Sequence, residues 1–239
     1  YLQWEIEKAE AQKSIRETRF FSIITAWAKK DTVKSLKTTL AAVSPHISLT
    51  KIAAAKGVTP PVAIENNRFV QPFETVTNVY GMPRYNEIDP TPFLAPFFIV
   101  FFALCLTDAG YGLVMTVVSI LAIKILKIPR AKQGLWRLLA YGGFATFIIG
   151  ALFGGWFGID VTALAPGPVR GFIEFFKVID PVQDTLTFMI LSFALGIVQL
   201  WFAQVVKIIV SLKNEDKGTA LSGLVWAGLI LSGLVWVVA

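Results

Sequence analysis

The 239 residues contain no Gly-Lys-Ser or Gly-Lys-Thr phosphate loop, no Gly-x-Ser-x-Gly nucleophile turn and no His-Glu-x-x-His pair. Without a phosphate cradle, a strained serine turn or a zinc helix, no catalysis is expected from this chain by itself. Histidine occurs once, as His46, with no second His or Cys beside it, so no metal site and no cofactor are expected. Cysteine also occurs once, as Cys105, which excludes an internal disulfide. Charge is scarce, 16% of residues, and unevenly spread. Four apolar regions, at about 93–123, 138–158, 185–206 and 218–239, hold no Arg, Lys, His or Glu, and Asp108 is their one ionisable residue.

Apolar side chains fill the gap. The chain is 55% hydrophobic with a mean hydropathy of +0.63, and several stretches approach the ~20 apolar residues that a membrane helix needs. An integral, multi-pass membrane protein in contact with lipid follows. The net charge of +6 then reflects Lys and Arg in cytoplasmic loops rather than a nucleic-acid partner.

The loops divide by charge. Residues 124–137 hold Lys124, Lys127, Arg130, Lys132 and Arg137 with no acid, whereas 159–184 hold Asp160, Glu174, Asp180 and Asp184 against Arg170 and Lys177. Residues 207–217 are again basic-rich, with Lys207, Lys213 and Lys217 against Glu215 and Asp216. The positive-inside rule puts 124–137 and 207–217 in the cytoplasm and 159–184 outside. Residues 1–92 carry 12 basic and 9 acidic residues and no secretory signal, so they are expected in the cytoplasm too. The apolar run 93–123 must then cross an even number of times. As one helix its 31 residues would be about 46 Å long, too long for one untilted crossing; as two, each reaches only about 22 Å. A hairpin of short helices, about 93–107 and 108–123, satisfies both constraints where protein or a water-filled cavity surrounds it.

The water-compatible part reads as three pieces. Residues 1–18 have mixed charges and a thin apolar set (Leu2, Trp4, Ile6, Ile15), as a coiled-coil helix does. Residues 19–59 pair a strand-like run, Arg19 to Trp27, with a helical pattern over 30–43, which makes a small α/β lobe. Residues 60–92 are rich in Pro and Asn and read as an extended linker to the membrane. The opening at Tyr1 and the apolar close at Ala239 lead us to expect the middle of a longer protein.

Asp108 admits two readings. It can cap the second short helix, with Gly110 and Gly112 allowing a tight turn or close helix contact, and a cap would tolerate Asn. Alternatively it lines an ion half-channel. Gln199, near mid-membrane in the 185–206 span, is an interhelical hydrogen-bonding group or a polar wall of an ion path. In the 138–158 span, Gly142, Thr146, Gly150, Gly154 and Gly158 recur every four residues, a stripe for close helix packing.

The stretch 60–113 resembles the hinge between the soluble and membrane halves of the large stator subunit of rotary ATPases, subunit a of V-type enzymes and subunit I of V/A-type enzymes. The residues that carry the resemblance are Pro60–Pro61, Asn66–Asn67, Pro72–Phe73–Glu74, Tyr80–Gly81, Pro83, Tyr85, Glu87–Ile88–Asp89–Pro90–Thr91 and Asp108–x–Gly110–Tyr111–Gly112. Tyr111 stands where eukaryotic members usually have His, which points to a bacterial or archaeal plasma membrane. The resemblance implies a mainly α fold: a polytopic helical membrane domain (93–239) preceded by part of a cytoplasmic coiled-coil and α/β-lobe arm. It implies proteolipid ring subunits and peripheral-stalk subunits as partners, the soluble ATPase head indirectly, and a non-catalytic role in proton or sodium translocation. Within the linker it implies packing and capping roles for Tyr85, Glu87 and Asp89. The membrane arginine of the family sits on a late helix and has no counterpart in the four apolar regions. A different class, a multi-span secondary transporter with a soluble regulatory domain, would predict internal repeats and broken helices; one interrupted segment is present, without a second copy.

Overall fold

The computed structural model describes residues 15–17, 19–53, 58–85 and 87–238, which divide between two units, Tyr1–Val62 and Ala63–Ala239. In the first unit, β1 (Arg16–Glu17) pairs antiparallel with β2 (Ser22–Ile23), placing Arg16 opposite Ile23 and Glu17 opposite Ser22. The coiled-coil helix expected over 1–18 lies, up to residue 14, outside the described residues. At Arg16–Glu17 the backbone is extended instead, because its hydrogen-bonding groups are taken by the ladder to β2. The strand expected from Arg19 to Trp27 narrows to Ser22–Ile23. A short 3₁₀ turn at Lys30–Thr32 then leads into α1 (Val33–Val43), at the expected place.

The second unit opens with a departure from the extended linker. The Asn67 carboxamide oxygen accepts from the Phe69 and Val70 amides at 3.1 and 2.8 Å. This Asx turn starts the chain coiling. A 3₁₀ turn at Gln71–Phe73 passes directly into α2 (Glu74–Tyr80), which ends at Gly81 with φ +116°. Pro72 does not interrupt it, since the first turn of a helix has no use for that N–H.

The apolar hairpin follows as α3 (Thr91–Leu106) and α4 (Ala109–Ile125), within two residues of the expected limits at each end. Their 16 and 17 residues give lengths of about 24 and 26 Å, short of a ~30 Å hydrocarbon core. Next come α5 (Gly134–Leu152), α6 (Pro168–Phe176), α7 (Thr185–Lys213) and α8 (Lys217–Val238). Three of these, α5, α7 and α8, are long and apolar enough to cross a membrane. The protein is mainly helical and built for a membrane.

The boundaries move ionisable groups onto helices. α5 starts earlier than expected and takes in Arg137, while α4 takes in Lys124 and α7 takes in Lys207. α5 also stops earlier. Gly154, Phe157 and Gly158 all have positive φ, so the chain turns out of the helix after Leu152. The four-residue stripe is therefore cut: Gly142 and Gly150 lie on α5, but Gly154 and Gly158 belong to the turn beyond it.

Small residues fix how α4 and α5 pack. A Cβ on Gly112 would strike the backbone of Phe147 and Gly143, and one on Gly143 would strike the backbone of Gly112 and Thr116. The two helices touch main chain to main chain, as small residues permit. At the other end of α5, a Cβ on Gly150 would overlap the backbone of Asp108 and Ala109. Gly143 completes this contact and was not on the expected stripe, because a strict four-residue repeat skips its neighbour.

The 153–184 segment is strapped back onto α5. Val178 donates to the Leu152 carbonyl at 2.7 Å. Lys177 Nζ donates to Asp180 Oδ2 at 2.6 Å, while Asp180 Oδ1 accepts from the amides of Val182 and Gln183. The hydrogen bond from the Lys177 ammonium holds the Asp180 carboxyl below the ordinary value of 3.8; burial opposes it, and the Val182 and Gln183 amides add to the lowering.

Two outcomes follow from these contacts. Gly112→Val should strip most correctly inserted protein from the membrane fraction, whereas Gly171→Ala, at an exposed site with open space, should leave its amount unchanged; quantitative blotting of membranes reads both. The lowered Asp180 value means its contribution is complete above the ordinary carboxylate range and is lost as pH falls through the lower folded value. Amide exchange at Val182 and Gln183, corrected for intrinsic rates, should stay slow down to about pH 4 and accelerate below it, and Lys177→Met should move that acceleration to higher pH.

Candidate functional site

Thr107 ends α3 in the left-handed region, φ 45° and ψ 28°. For a β-branched residue this backbone is strained by roughly 1–2 kcal/mol. The next residue, Asp108, is extended and caps α4: its Oδ1 accepts from the Tyr111 amide at 3.0 Å. The same oxygen accepts from the Phe157 amide at 3.0 Å, and Oδ2 accepts from the Gly158 amide at 2.9 Å. Ala109 donates back to the Gly155 carbonyl at 2.8 Å. One carboxylate, 8% exposed, thus ties the hairpin turn to the turn that ends α5. Each such charge-assisted bond contributes about 1.5–3 kcal/mol, enough together to hold both strained turns.

Other expected residues gather here. Gly110 faces the Phe157 ring, where a Cβ would overlap it, and the Tyr111 ring meets Phe157 edge-on at 5.4 Å. Gly158, expected as a packing glycine of a helix, supplies an amide to Asp108 from a φ of +67°. Gly154 has a φ of +71° and faces the Lys177 stem. Gly155 belongs to the same turn and escaped the sequence reading, since only its contact with Thr107 marks it.

A second group of expected residues forms a joint at the start of the membrane helices. Asn66 Nδ2 donates to Glu74 Oε1 at 3.0 Å and to Asp89 Oδ2 at 2.6 Å. Its one amide group bridges two carboxylates 15 residues apart in the chain. Asp89 Oδ1 also accepts from the Thr91 amide, the first of α3, at 2.9 Å. Pro90 occupies the cap position, and Thr91 lies fully buried with its hydroxyl 2.8 Å from that of Thr77. Beneath this polar layer Pro72 and Phe73 are buried, Phe73 against Ala95 of α3 and Leu138 of α5. Its ring meets Phe98 edge-on at 5.9 Å and stacks near Tyr141 at 6.5 Å. Asn67 starts the turn that presents Phe73. Glu87 closes a small loop by accepting from the Arg84 amide at 2.8 Å, and Tyr85 is exposed.

Gln199 is elsewhere. It is exposed and lines a groove of ≈ 310 Å³ with Phe98, Phe101, Phe102 and Cys105 of α3 and with Tyr80. None of the residues that donate to Asp108 lines this groove. Gln204, one and a half turns further along α7, is the polar group the sequence reading missed: its Oε1 is buried with no hydrogen-bond partner among the described residues. Its place just before the expected helix end at 206 gave no signal. Among the described residues no group of His, Cys, Asp or Glu could hold a metal ion.

The arrangement defines a helical membrane protein in which a folded linker is locked to the first membrane helices. Residues 11–160 match the V-type ATPase 116kDa subunit family. The subunit I of the A-type ATP synthase from Pyrococcus abyssi is 33% identical over 177 residues, covering 72% of this chain and 25% of its own length. Subunit I 1 of the V-type ATP synthase from Treponema pallidum is 35% identical over 143 residues, 59% of this chain and 23% of its own. The V-type proton ATPase 116 kDa subunit a 3 of Homo sapiens is 30% identical over 94 residues, 38% of this chain and 11% of its own. The chain belongs to the V-type ATPase 116kDa subunit family, and it spans about a quarter of the length of the archaeal relatives it matches.

Replacing Asp108 tests the tie. Asp108→Ala removes three charge-assisted hydrogen bonds and should destabilise the membrane unit by about 3 kcal/mol or more. Asp108→Asn keeps one oxygen for Tyr111 and Phe157 but turns an amide toward the Gly158 N–H, and should cost about 1–3 kcal/mol. Thermal unfolding in detergent should rank wild type above Asn and Asn above Ala.

Proposed function

We propose that this chain is the joint of a rotary ATPase stator: the linker and first membrane helices of a subunit that holds the peripheral stalk fixed while a proteolipid ring turns. The observation that carries the reading is the joint at Asn66, Phe73, Glu74, Asp89 and Thr91. A stator must pass torque from a soluble arm into the membrane, and a linker that enters the helices through a buried ring and bridged carboxylates resists bending where an extended tether would not. Family membership supports the same reading, since the relatives are named as subunits of ATP synthases and of a proton ATPase. Residues 1–92 and 124–137 then face the cytoplasm and 159–184 the other side.

Asp108 is a fastening group in this reading. Its lone pairs point at three backbone N–H groups, which leaves it poorly placed to accept and release an ion. Gln199, in its open groove beside α3, is the better candidate for a surface shared with neighbouring subunits along the ion path.

Affinity purification of the intact protein from native membranes in mild detergent, with mass spectrometry of what accompanies it, tests the assignment. Soluble ATPase subunits and a small proteolipid should be recovered together. Recovery of the protein without either would overturn the stator role.

A further inference from the structure

The segment between α5 and α7 contains a helix that neither the linker joint nor the Asp108 tie uses. On α6 the residues sort sharply by angle. Val169, Phe172, Ile173, Phe175 and Phe176 share one broad arc at the 100° step of a helix, and Arg170 and Glu174 fall on the opposite side, joined Nε to Oε1 at 2.8 Å. Ile173 is buried, but the rest of the apolar arc is bare: Phe175 is 82% exposed, Val169 66% and Phe172 54%. The rings form a continuous patch, Phe172 to Phe176 and Phe175 to Phe176 both at 5.1 Å, and Trp156 extends it at 6.3 Å from Phe172.

The position of this patch is fixed by the chain on both sides. The Leu152 carbonyl, at the end of α5, accepts from the Val178 amide just past α6. From there the ordered loop built on Lys177 and Asp180 reaches α7 at Thr185. A helix pinned at the shared ends of two membrane-length helices sits at the level where hydrocarbon meets headgroups. Its amphipathic form, aromatic on one face and ion-paired on the other, is the form that lies in that layer.

We propose that α6 is an interfacial helix, lying flat in the headgroup layer of the leaflet at the α5–α7 end, with Phe172, Phe175 and Phe176 in the lipid and Arg170 and Glu174 toward water. The occupant of the exposed aromatic face is phospholipid, because α6 is tied to the end of α5 through Val178 and Leu152 and is followed at Thr185 by α7, both of membrane-spanning length, and its Arg170–Glu174 pair leaves no net charge to recruit an ionic partner. This rests on α5 and α7 crossing the bilayer and is independent of the stator reading.

Spin labels test it in the intact protein, reconstituted in phosphatidylcholine vesicles with Cys105 replaced by Ser and no other reactive cysteine. A label at Phe175→Cys should be reached by oxygen at least several-fold more readily, relative to a water-soluble nickel complex, than a label at Glu174→Cys, with an immersion depth of about 5–10 Å. Equal access of the nickel complex to both labels would place the face in water and overturn the proposal. Exclusion of both oxygen and nickel from the Phe175 label would show a covering protein and overturn it too. A label at Val182, 85% exposed and outside the helix, provides the water reference; because these side chains are exposed, loss of folding does not confound the comparison.

Discussion

The Asp108 carboxylate is the contact on which the membrane unit depends. It lies between two turns that the backbone would not adopt unaided: Thr107 and Phe157 both hold positive φ without being glycine. Each turn offers amide protons that the helices cannot use, and one charged group meets them from both sides. The cap of α4, the end of α5 and the reversal of the hairpin are therefore a single structural event. Lipid could not supply these acceptors, and a neutral side chain could supply only part of them. The glycine contacts along α4 and α5 are what bring the two turns within reach of one side chain.

The joint at the other end works by the same economy of groups. Asn66 donates to Glu74 and Asp89 together, and Asp89 in turn accepts from the first amide of α3. A buried ring, Phe73, lies under this polar layer and touches both α3 and α5. Bending the linker would expose the ring and separate the bridged carboxylates in the same movement. Such coupling suits a proposed stator, in which load passes from a soluble arm into the membrane helices.

Much of this was legible in the sequence. Charge counting around 93–123 led to a hairpin of two short helices, and the turn falls at the residues where Asp108 and its glycines suggested. The family resemblance pointed to Asn66, Phe73, Asp89 and Thr91 without saying what they touch. What could not be read were contacts across the chain. Periodicity placed Gly154 and Gly158 on a helix because nothing local says that α5 stops at Leu152; the reason lies 45 or more residues away, in Thr107 and Asp108. The linker looked extended because Pro and Asn are poor helix formers, yet Asn67 begins a turn and Pro72 fits its first residues. Gln204 and α6 escaped for a similar reason, being defined by burial and by a neighbouring helix end rather than by composition.

The most direct measurement is an electron cryo-microscopy map of the intact protein in lipid nanodiscs at side-chain resolution around the hairpin turn. The Asp108 carboxylate should lie within hydrogen-bonding distance of the Tyr111, Phe157 and Gly158 amides, with no aqueous passage reaching it. A carboxylate turned into a water-filled cavity, with those amides bonded elsewhere, would overturn its role as a fastening group and make Asp108 part of an ion path.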